Sequence, residues 1–412
     1  MLRQTSVYGI LACGLTVVII SGGIDLSVGS VLGLAAVVFS VLSIHWGWSP
    51  WIAVPAVLAV GAACGATSGA IIATHDLRAR TLALVSAAIG ACAAAMAWSL
   101  LSWSGGLVAG AFLVCLVAVA LALRAVSRVA VQPFIATLAM MVFARGLAKH
   151  LSGGKKISQY VQTESGFEVV DLPRIYALID SRILGDNLSV VTLIFLGCLL
   201  VSWLLLARFR PGRFVYAIGG NEESARLSGV PVAATKILAY GLCGVFSAVA
   251  GICQAAQETQ GDPEAGTGYE LSAIAIVVIG GTSLMGGKGG VLLTLLGTLT
   301  IGYLEKILSI NAVGESLRLM LTGAIVVALA TIRLLRNESC QGAEVKNSSY
   351  QRNDRPGRGP VPASTVAALR DTARPQCDRV RACSVSRRAR KPRAPSSREG
   401  DKGAALIDTS IG

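Results

Sequence analysis

The sequence predicts an all-α fold, a polytopic transmembrane helical bundle, and three observations carry that prediction. The apolar runs are long and continuous, only 14% of residues are charged, and 46 glycines are scattered along the chain. A soluble domain carries roughly a quarter charged residues. Glycine and other small residues let helix backbones approach closely in lipid. A membrane β-barrel would instead show alternating segments of about ten residues, so helices are expected.

A crossing helix needs about 20 predominantly apolar residues, with tolerance down to about 17. By that measure spans are predicted at 7–21, 28–45, 51–73, 82–103, 107–123, 130–148, 188–206, 237–256, 271–285, 291–308 and 317–335, 11 in all. The first and ninth are short, and both abut glycine-rich polar stretches. Helices that stop inside a bundle leave that signature.

Lys and Arg in short loops favour the cytoplasm. Arg78 and Arg80 before, and Arg124 and Arg128 after, bracket two spans that form a hairpin with Ser104-Gly105-Gly106 as its outer turn. Arg208, Arg210, Arg213, Arg226 and Lys236 put the loop 207–236 inside. The loop 257–270 carries Glu258, Asp262, Glu264 and Glu270 without Lys or Arg, and is placed outside. Lys288 and the chain after Arg333 and Arg336 then fall inside. A ninth segment that re-entered would leave the basic tail outside, so it is expected to cross. Lys149, Lys155 and Lys156 conflict with the rule, because they fall in the outer segment 149–187.

The net charge of +13 is unevenly spread: 337–412 holds 15 Lys/Arg against eight Asp/Glu. That tail is rich in Arg, Ser, Pro and Gly and has no hydrophobic period, so it is expected to stay disordered and solvated in the cytoplasm. Contact with anionic lipid or nucleic acid is the sharper alternative; no specific nucleic-acid partner is assigned. The organisation read from the sequence is a membrane domain over 1–336, with 78–128 as an inserted hairpin, followed by the tail 337–412. The first apolar run is followed by no small-residue cleavage site, so no cleavable signal peptide is expected.

Several function classes have no foothold. Cys13, Cys64, Cys92, Cys115, Cys198, Cys243 and Cys253 lie within apolar spans and read as small buried residues. Cys340, Cys377 and Cys383 lack paired metal-ligand spacing, and His45, His75 and His150 form no cluster, so no metal site is assigned. There is no Ser–His–Asp set and no pair of intramembrane carboxylates at catalytic spacing, so no catalytic residue is assigned.

Two stretches carry chemistry. Gly22-Gly23-Ile24-Asp25-Leu26-Ser27-Val28-Gly29-Ser30 sets a carboxylate, two serines and glycines between apolar runs. An ionisable residue in lipid is costly and marks a functional site by default. The glycines interrupt the helix, and Asp25 or Ser27 is placed to cap the one that resumes. Capping outweighs direct solute contact for Asp25, and buried acidic residues beyond Asp25 and Glu270 are too scarce for a proton relay. The second stretch is the inner loop 219–231. Asn221 can cap a short helix whose first turn holds Glu222 and Glu223, followed by Ser224, Ala225, Arg226, Leu227 and Ser228, with Gly229 to end it. Such a helix on the inner face can pass movement between a membrane subunit and a soluble partner.

Five motifs occur in order: 23–30, Gln132-Pro133-Phe134-Ile135-Ala136-Thr137-Leu138, 219–229, Gly266-Thr267-Gly268-Tyr269-Glu270-Leu271, and Gly280-Gly281-Thr282-Ser283-Leu284-Met285-Gly286-Gly287-Lys288-Gly289. Together they resemble the permease subunit of the bacterial ribose/xylose/galactoside-type importers of the ATP-binding cassette class, over about 2–335. The resemblance implies a multi-pass protein of the bacterial cytoplasmic membrane that moves a monosaccharide or related small polar solute. It also implies a homodimer, a cytoplasmic ATP-binding subunit, and a periplasmic or extracellular substrate-binding protein. By the same resemblance 221–229 is the coupling helix, and Asp25, Ser27, Ser30, Gly280, Gly281, Thr282 and Ser283 belong to the translocation path or its inner-helix break. No cofactor is expected in this chain. The nearest approach to a P-loop has Thr282 at the first glycine and Gly289 at the hydroxyl position, so ATP–Mg is expected in the partner. An ion-coupled secondary transporter or channel is the alternative that broken helices also fit. The chain departs from the resemblance in lacking a first span, in the two spans inserted between Ala73 and Val131, in Ser272 where an acidic residue is common, and in the long tail.

Overall fold

The computed structural model of the chain describes residues 2–73, 132–163, 166–169, 171–183 and 188–311, with scattered positions between 314 and 331. The hairpin expected at 78–128 lies outside the described residues, as do most of the span 317–335 and the tail. The chain divides into Met1–Leu335 and Arg336–Gly412, and the described residues all belong to the first unit.

Seven described helices are long and apolar enough to cross a membrane. They are α1 (Leu2–Ile20), α2 (Val28–Ser40, prolonged by a π-helical turn Val41–His45), α3 (Pro50–Ile72), α4 (Pro133–Ser152), and three introduced below. Outside, a hairpin pairs β1 (Tyr160–Thr163) with β2 (Gly166–Val169), antiparallel with Tyr160 opposite Val169. The short helix α5 (Arg174–Asp180) follows, then β3 (Arg182–Ile183) paired with β4 (Leu188–Ser189). The chain returns inward as α6 (Val190–Ala207), turns through α7 (Arg210–Gly220) and α8 (Glu222–Leu227), and crosses again as α9 (Val232–Glu258). The last elements are α10 (Tyr269–Gly280) and α11 (Val291–Ile310).

Helix α1 is the centre of the bundle: residues 5–21 are buried throughout. It begins further out than the apolar run, at Leu2, because Arg3 has partners there. The Arg3 guanidinium donates to the Gln257 carbonyl at 2.7 Å and pairs with Asp180 at 2.5 Å. Close packing rests on small residues. Gly14 meets Cys243 of α9, and Gly61, Gly65 and Gly69 of α3 line up along α9 with no room for side chains. A Cβ at Gly65 would run into the Tyr240 carbonyl, and one at Gly244 into that of Gly61. Cys13, Cys64, Cys198, Cys243 and Cys253 are free thiols inside this packing, which is the small buried role expected of them; Cys92 and Cys115 fall outside the described residues.

The outer helix α5 is pinned by Tyr176. Its hydroxyl lies 3.0 Å from Ser40 Oγ and 3.1 Å from Ser43 Oγ, and its ring stacks on Phe39 at 5.1 Å.

The loop expected outside at 257–270 does not stay there. Helix α9 stops at Thr259, which takes the left-handed conformation. The chain then runs down along α2: Gly261 lies against Ala36 and Ser40, the Ala265 carbonyl faces Gly33, and the Gly266 carbonyl faces Gly29. From Ser40 to Gly29 is about 16 Å of helix axis, so the segment reaches well into the bundle before α10 starts. Helix α10 has 12 residues and ends at Gly281, at φ 114°, short of the predicted 285. It covers only about 18 Å of a hydrocarbon layer of about 30 Å. Descending segment and half-helix together stand where a single span was expected at 271–285.

Candidate functional site

The chain breaks twice within the bundle, and the breaks meet. The first joins α1 to α2. Asp25 is 1% exposed, and its Oδ1 accepts from the Ser27 backbone N–H at 2.9 Å and from the Ser27 hydroxyl at 2.6 Å. Ser27 itself makes no side-chain cap, but its carbonyl starts α2 by accepting from Val31 N–H at 2.8 Å. Asp25 thus holds the residue that begins the helix. Around it are the Cys243 thiol, hydrogen bonded to the carboxylate, and the Tyr240 hydroxyl against Gly23. Thr137 of α4 donates to the Ile24 carbonyl at 3.3 Å. No Lys or Arg pairs with Asp25 among the described residues. Ser30, 3% exposed, follows one turn on.

Asn substituted for Asp25 retains an oxygen that can accept both Ser27 bonds. Asp25→Asn is therefore expected to assemble and transport within about threefold of the original chain. Asp25→Ala leaves the Ser27 N–H buried and bare, at a cost of about 1–2 kcal/mol. Thermal unfolding in detergent and an uptake assay check the pair. Abolished uptake in a stably assembled Asp25→Asn complex would assign the charge a direct role.

At the second break, Gly266 and Gly29 lie backbone to backbone, and the Glu270 carboxylate covers Gly29. Arg145 of α4 fixes the descending segment by donating to the Pro263 and Ala265 carbonyls, both at 2.7 Å. Lys149 pairs with Glu264 at 2.7 Å and Lys156 with Asp262 at 2.8 Å. These pairs give two of the anomalous outer lysines their partners. Lys149, hydrogen bonded to Glu264, holds that carboxyl below its usual range, and Asp262 raises the Lys156 ammonium. The Lys149–Glu264 pair is exposed on both sides and contributes little to stability, whereas Asp262 in the other pair is only 13% exposed. Arg145 is the stronger tie, since hydrogen bonds from a charged donor are worth about 1.5–3 kcal/mol each. Arg145→Ala is expected to destabilise the protein by about 2 kcal/mol and to speed amide exchange across 259–268, read by hydrogen–deuterium exchange. Unchanged exchange there would contradict the latch.

Gly280, Gly281, Thr282 and Ser283 are not brought beside Asp25. Gly280 packs on Leu293 of α11, and Thr282, 3% exposed, sits against Gly289. The Ser283 N–H donates to the Lys288 carbonyl at 2.9 Å and closes a turn. That turn reaches the inner end of α1: Gly287 N–H donates to the Ile20 carbonyl at 2.9 Å, and Gly286 lies against Gly22 and Gly219.

The inner face carries α8. Asn221 Oδ1 accepts from Ser224 N–H at 2.9 Å, the cap expected from the sequence. Glu222 binds Lys236 of α9 at 2.7 Å and Arg226 at 3.4 Å, and Arg226 also meets Glu223 at 3.6 Å. Ala225 is buried with Ile218 of α7 and Val232 of α9. Glu223, Ser224, Leu227 and Ser228 face out, Leu227 at 82% exposure, and Gly229 ends the helix at φ 81°. Seated on α7 and α9 on one side and open on the other, α8 joins through Gly219 to Ile20 of α1 and to the 281–289 turn.

Sequence reasoning passed over Arg145, although a lone cation inside the apolar run 130–148 is the signal that marks a site. Tyr240 and Cys243 beside Asp25 had no signal in the sequence.

The family described as branched-chain amino acid transport system / permease component matches residues 1–86 and 82–330. The ribose import permease protein of Escherichia coli strain K12 is 36% identical over 335 residues, 80% of this chain and 83% of that protein. The ribose import permease protein of Bacillus subtilis strain 168 is 32% identical over 339 residues, 82% and 84% of the two chains. The autoinducer 2 import system permease protein of a Yersinia enterocolitica strain is 30% identical over 327 residues, 79% and 80%. No solved structure matches.

Proposed function

The chain belongs to this family of permease components and is the multi-pass inner-membrane subunit of an ATP-binding cassette importer, and from that premise we propose that it carries a monosaccharide inward as one half of a homodimer. Permeases of this class work with an ATP-binding subunit, which hydrolyses ATP, and with a substrate-binding protein. No cofactor is held by this chain in the proposal; ATP–Mg resides in the partner.

The observation that carries the reading is the arrangement of α8: a capped helix with an outward face, wired through Gly219 to the inner end of the central helix. Asn221, Glu222, Glu223, Ser224, Ala225, Arg226, Leu227, Ser228 and Gly229 form the coupling element. Closure of the two ATPase subunits displaces α8, and the Gly219–Ile20–Gly287 contact passes that displacement to α1 and the 281–289 turn. ATP binding thereby stabilises one opening of the bundle over the other, and hydrolysis resets it. Asp25, Ser27 and Ser30, with Gly280, Gly281, Thr282 and Ser283, serve as the breaks about which the inner helices move.

The family description names branched-chain amino acids, whereas two of the relatives are named for ribose. A monosaccharide fits Gln254 and Glu258 of α9 and Tyr269 of α10, which are joined by hydrogen bonds with the Gln254 Oε1 left bare, better than an aliphatic side chain does, since a buried polar group left unpaired costs about 1–3 kcal/mol. Proteoliposomes holding the permease, its ATPase and its binding protein are expected to accumulate labelled pentoses or hexoses. Accumulation of leucine or valine with none of any monosaccharide would overturn the substrate class.

A further inference from the structure

Ionisable and hydrogen-bonding side chains inside a membrane bundle are rare and mark substrate pathways, and one group of them has no part in the breaks or the coupling face. It lies where the outer ends of α1, α9, α10 and α11 meet. Tyr8 of α1 and Tyr269 of α10 pack ring against ring at 4.6 Å with planes tilted by 55°. The Tyr269 hydroxyl is hydrogen bonded to Tyr8 and to Gln254 of α9, and the carboxylates of Glu258 and Glu305 act on it through space. Gln254 Nε2 donates to Glu258 Oε1 at 2.5 Å. Its other polar atom, Oε1, is buried without a partner, on a residue only 7% exposed. Tyr269 and Glu305 are partly exposed and Glu258 is open to the outer side.

Packing alone does not account for that set. A structural network satisfies its buried acceptors, because a bare one costs free energy. Here an amide oxygen is left bare on a side chain bonded to Glu258 and to Tyr269, with Tyr8 packed on Tyr269 and the Glu305 carboxylate acting on Tyr269 from α11. Acceptors in excess of donors, with aromatic faces beside them, suit a ligand that brings several hydroxyl donors and C–H faces of its own.

We propose that Tyr8, Gln254, Tyr269 and Glu305 form the outer contact site for the transported monosaccharide, an inference that rests on the function proposed above. Sugar hydroxyls donate to Gln254 Oε1 and to the Glu305 carboxylate, and the tyrosine rings guide the sugar face. Contacts of this kind are few and individually weak, as passage requires.

The test uses the complete reconstituted importer with labelled D-ribose as probe, D-xylose and D-galactose being run alongside, and reads the number of sugars moved per ATP hydrolysed. Gln254→Leu, Tyr269→Phe and Glu305→Gln are compared after co-purification shows which variants assemble with the ATPase. Loss of a substrate contact lets ATP turn over without cargo, so the ratio is expected to fall about fivefold, the scale of one hydrogen bond. A merely structural defect lowers transport and hydrolysis together and leaves the ratio at the original value. That result in the assembled variants would overturn the site while leaving the proposed function standing. A wild-type complex that moves none of the three sugars at the expense of ATP would overturn the function and the site with it.

Discussion

Gly29→Val is expected to leave little folded protein in the membrane. At this position the N-terminal turn of α2 crosses the segment descending to α10, and an added Cβ would collide with the Gly266 carbonyl oxygen and the Glu270 carboxylate. A backbone carbonyl cannot swing aside as a flexible side chain does. Overpacking typically costs about 1–3 kcal/mol. The reciprocal change, Gly266→Ala, adds strain of about 1–3 kcal/mol, because Gly266 has φ 74° and its Cβ would lie 2.5 Å from the Gly29 oxygen. Against a total stability of about 5–15 kcal/mol, either change removes a large share. Gly146→Val is the control, since nothing lies within 4 Å of a Cβ there. Size-exclusion profiles of detergent extracts should show a monodisperse peak for Gly146→Val and loss of that peak for Gly29→Val. Equal peaks would mean that the two breaks do not meet as described.

Leu227→Asp is expected to uncouple the permease from its motor while leaving the membrane domain stable. Leu227 is 82% exposed at the end of a helix whose opposite side is held by Ala225 and by Glu222 paired with Lys236. A large apolar side chain presented in this way serves a partner better than it serves its own fold. As an anchor of that interface its loss costs about 2 kcal/mol, roughly 30-fold in affinity for the ATPase subunit, with uptake falling in parallel. Deleting 221–229 should abolish uptake altogether. Pull-down of the ATPase and an uptake assay on the same preparation check both. Unimpaired uptake after the deletion would remove α8 from the transport cycle.

Much of this was legible in the sequence, and the rest was hidden for identifiable reasons. Continuous apolar runs set the helices, and Asn221 followed by Glu222 and Glu223 announced a capped helix that is present at 2.9 Å capping distance. Asp25 signalled a break because a carboxylate between glycines has few other uses in lipid. The acidic loop 257–270 was read from its charge, which says only which side a loop prefers. It does not say that Arg145, 118 residues from Pro263 in sequence, will hold the loop's carbonyls inside the bundle. The glycines at 280–289 pointed to an inner element of the bundle but not to its neighbour, and Gly287 binds Ile20 at the inner end of α1; glycine spacing reveals close approach without naming the surface approached. Gln254 and Tyr8 sat unremarked in apolar runs, since their significance depends on four helices meeting.

The most direct measurement is solute accumulation by proteoliposomes holding this permease, its ATPase and its loaded binding protein, with the energy source varied. Accumulation that requires internal or external ATP on the ATPase side and is indifferent to collapse of the proton gradient is the expected result. Accumulation that survives ATP depletion but stops when the proton gradient is dissipated would contradict the account.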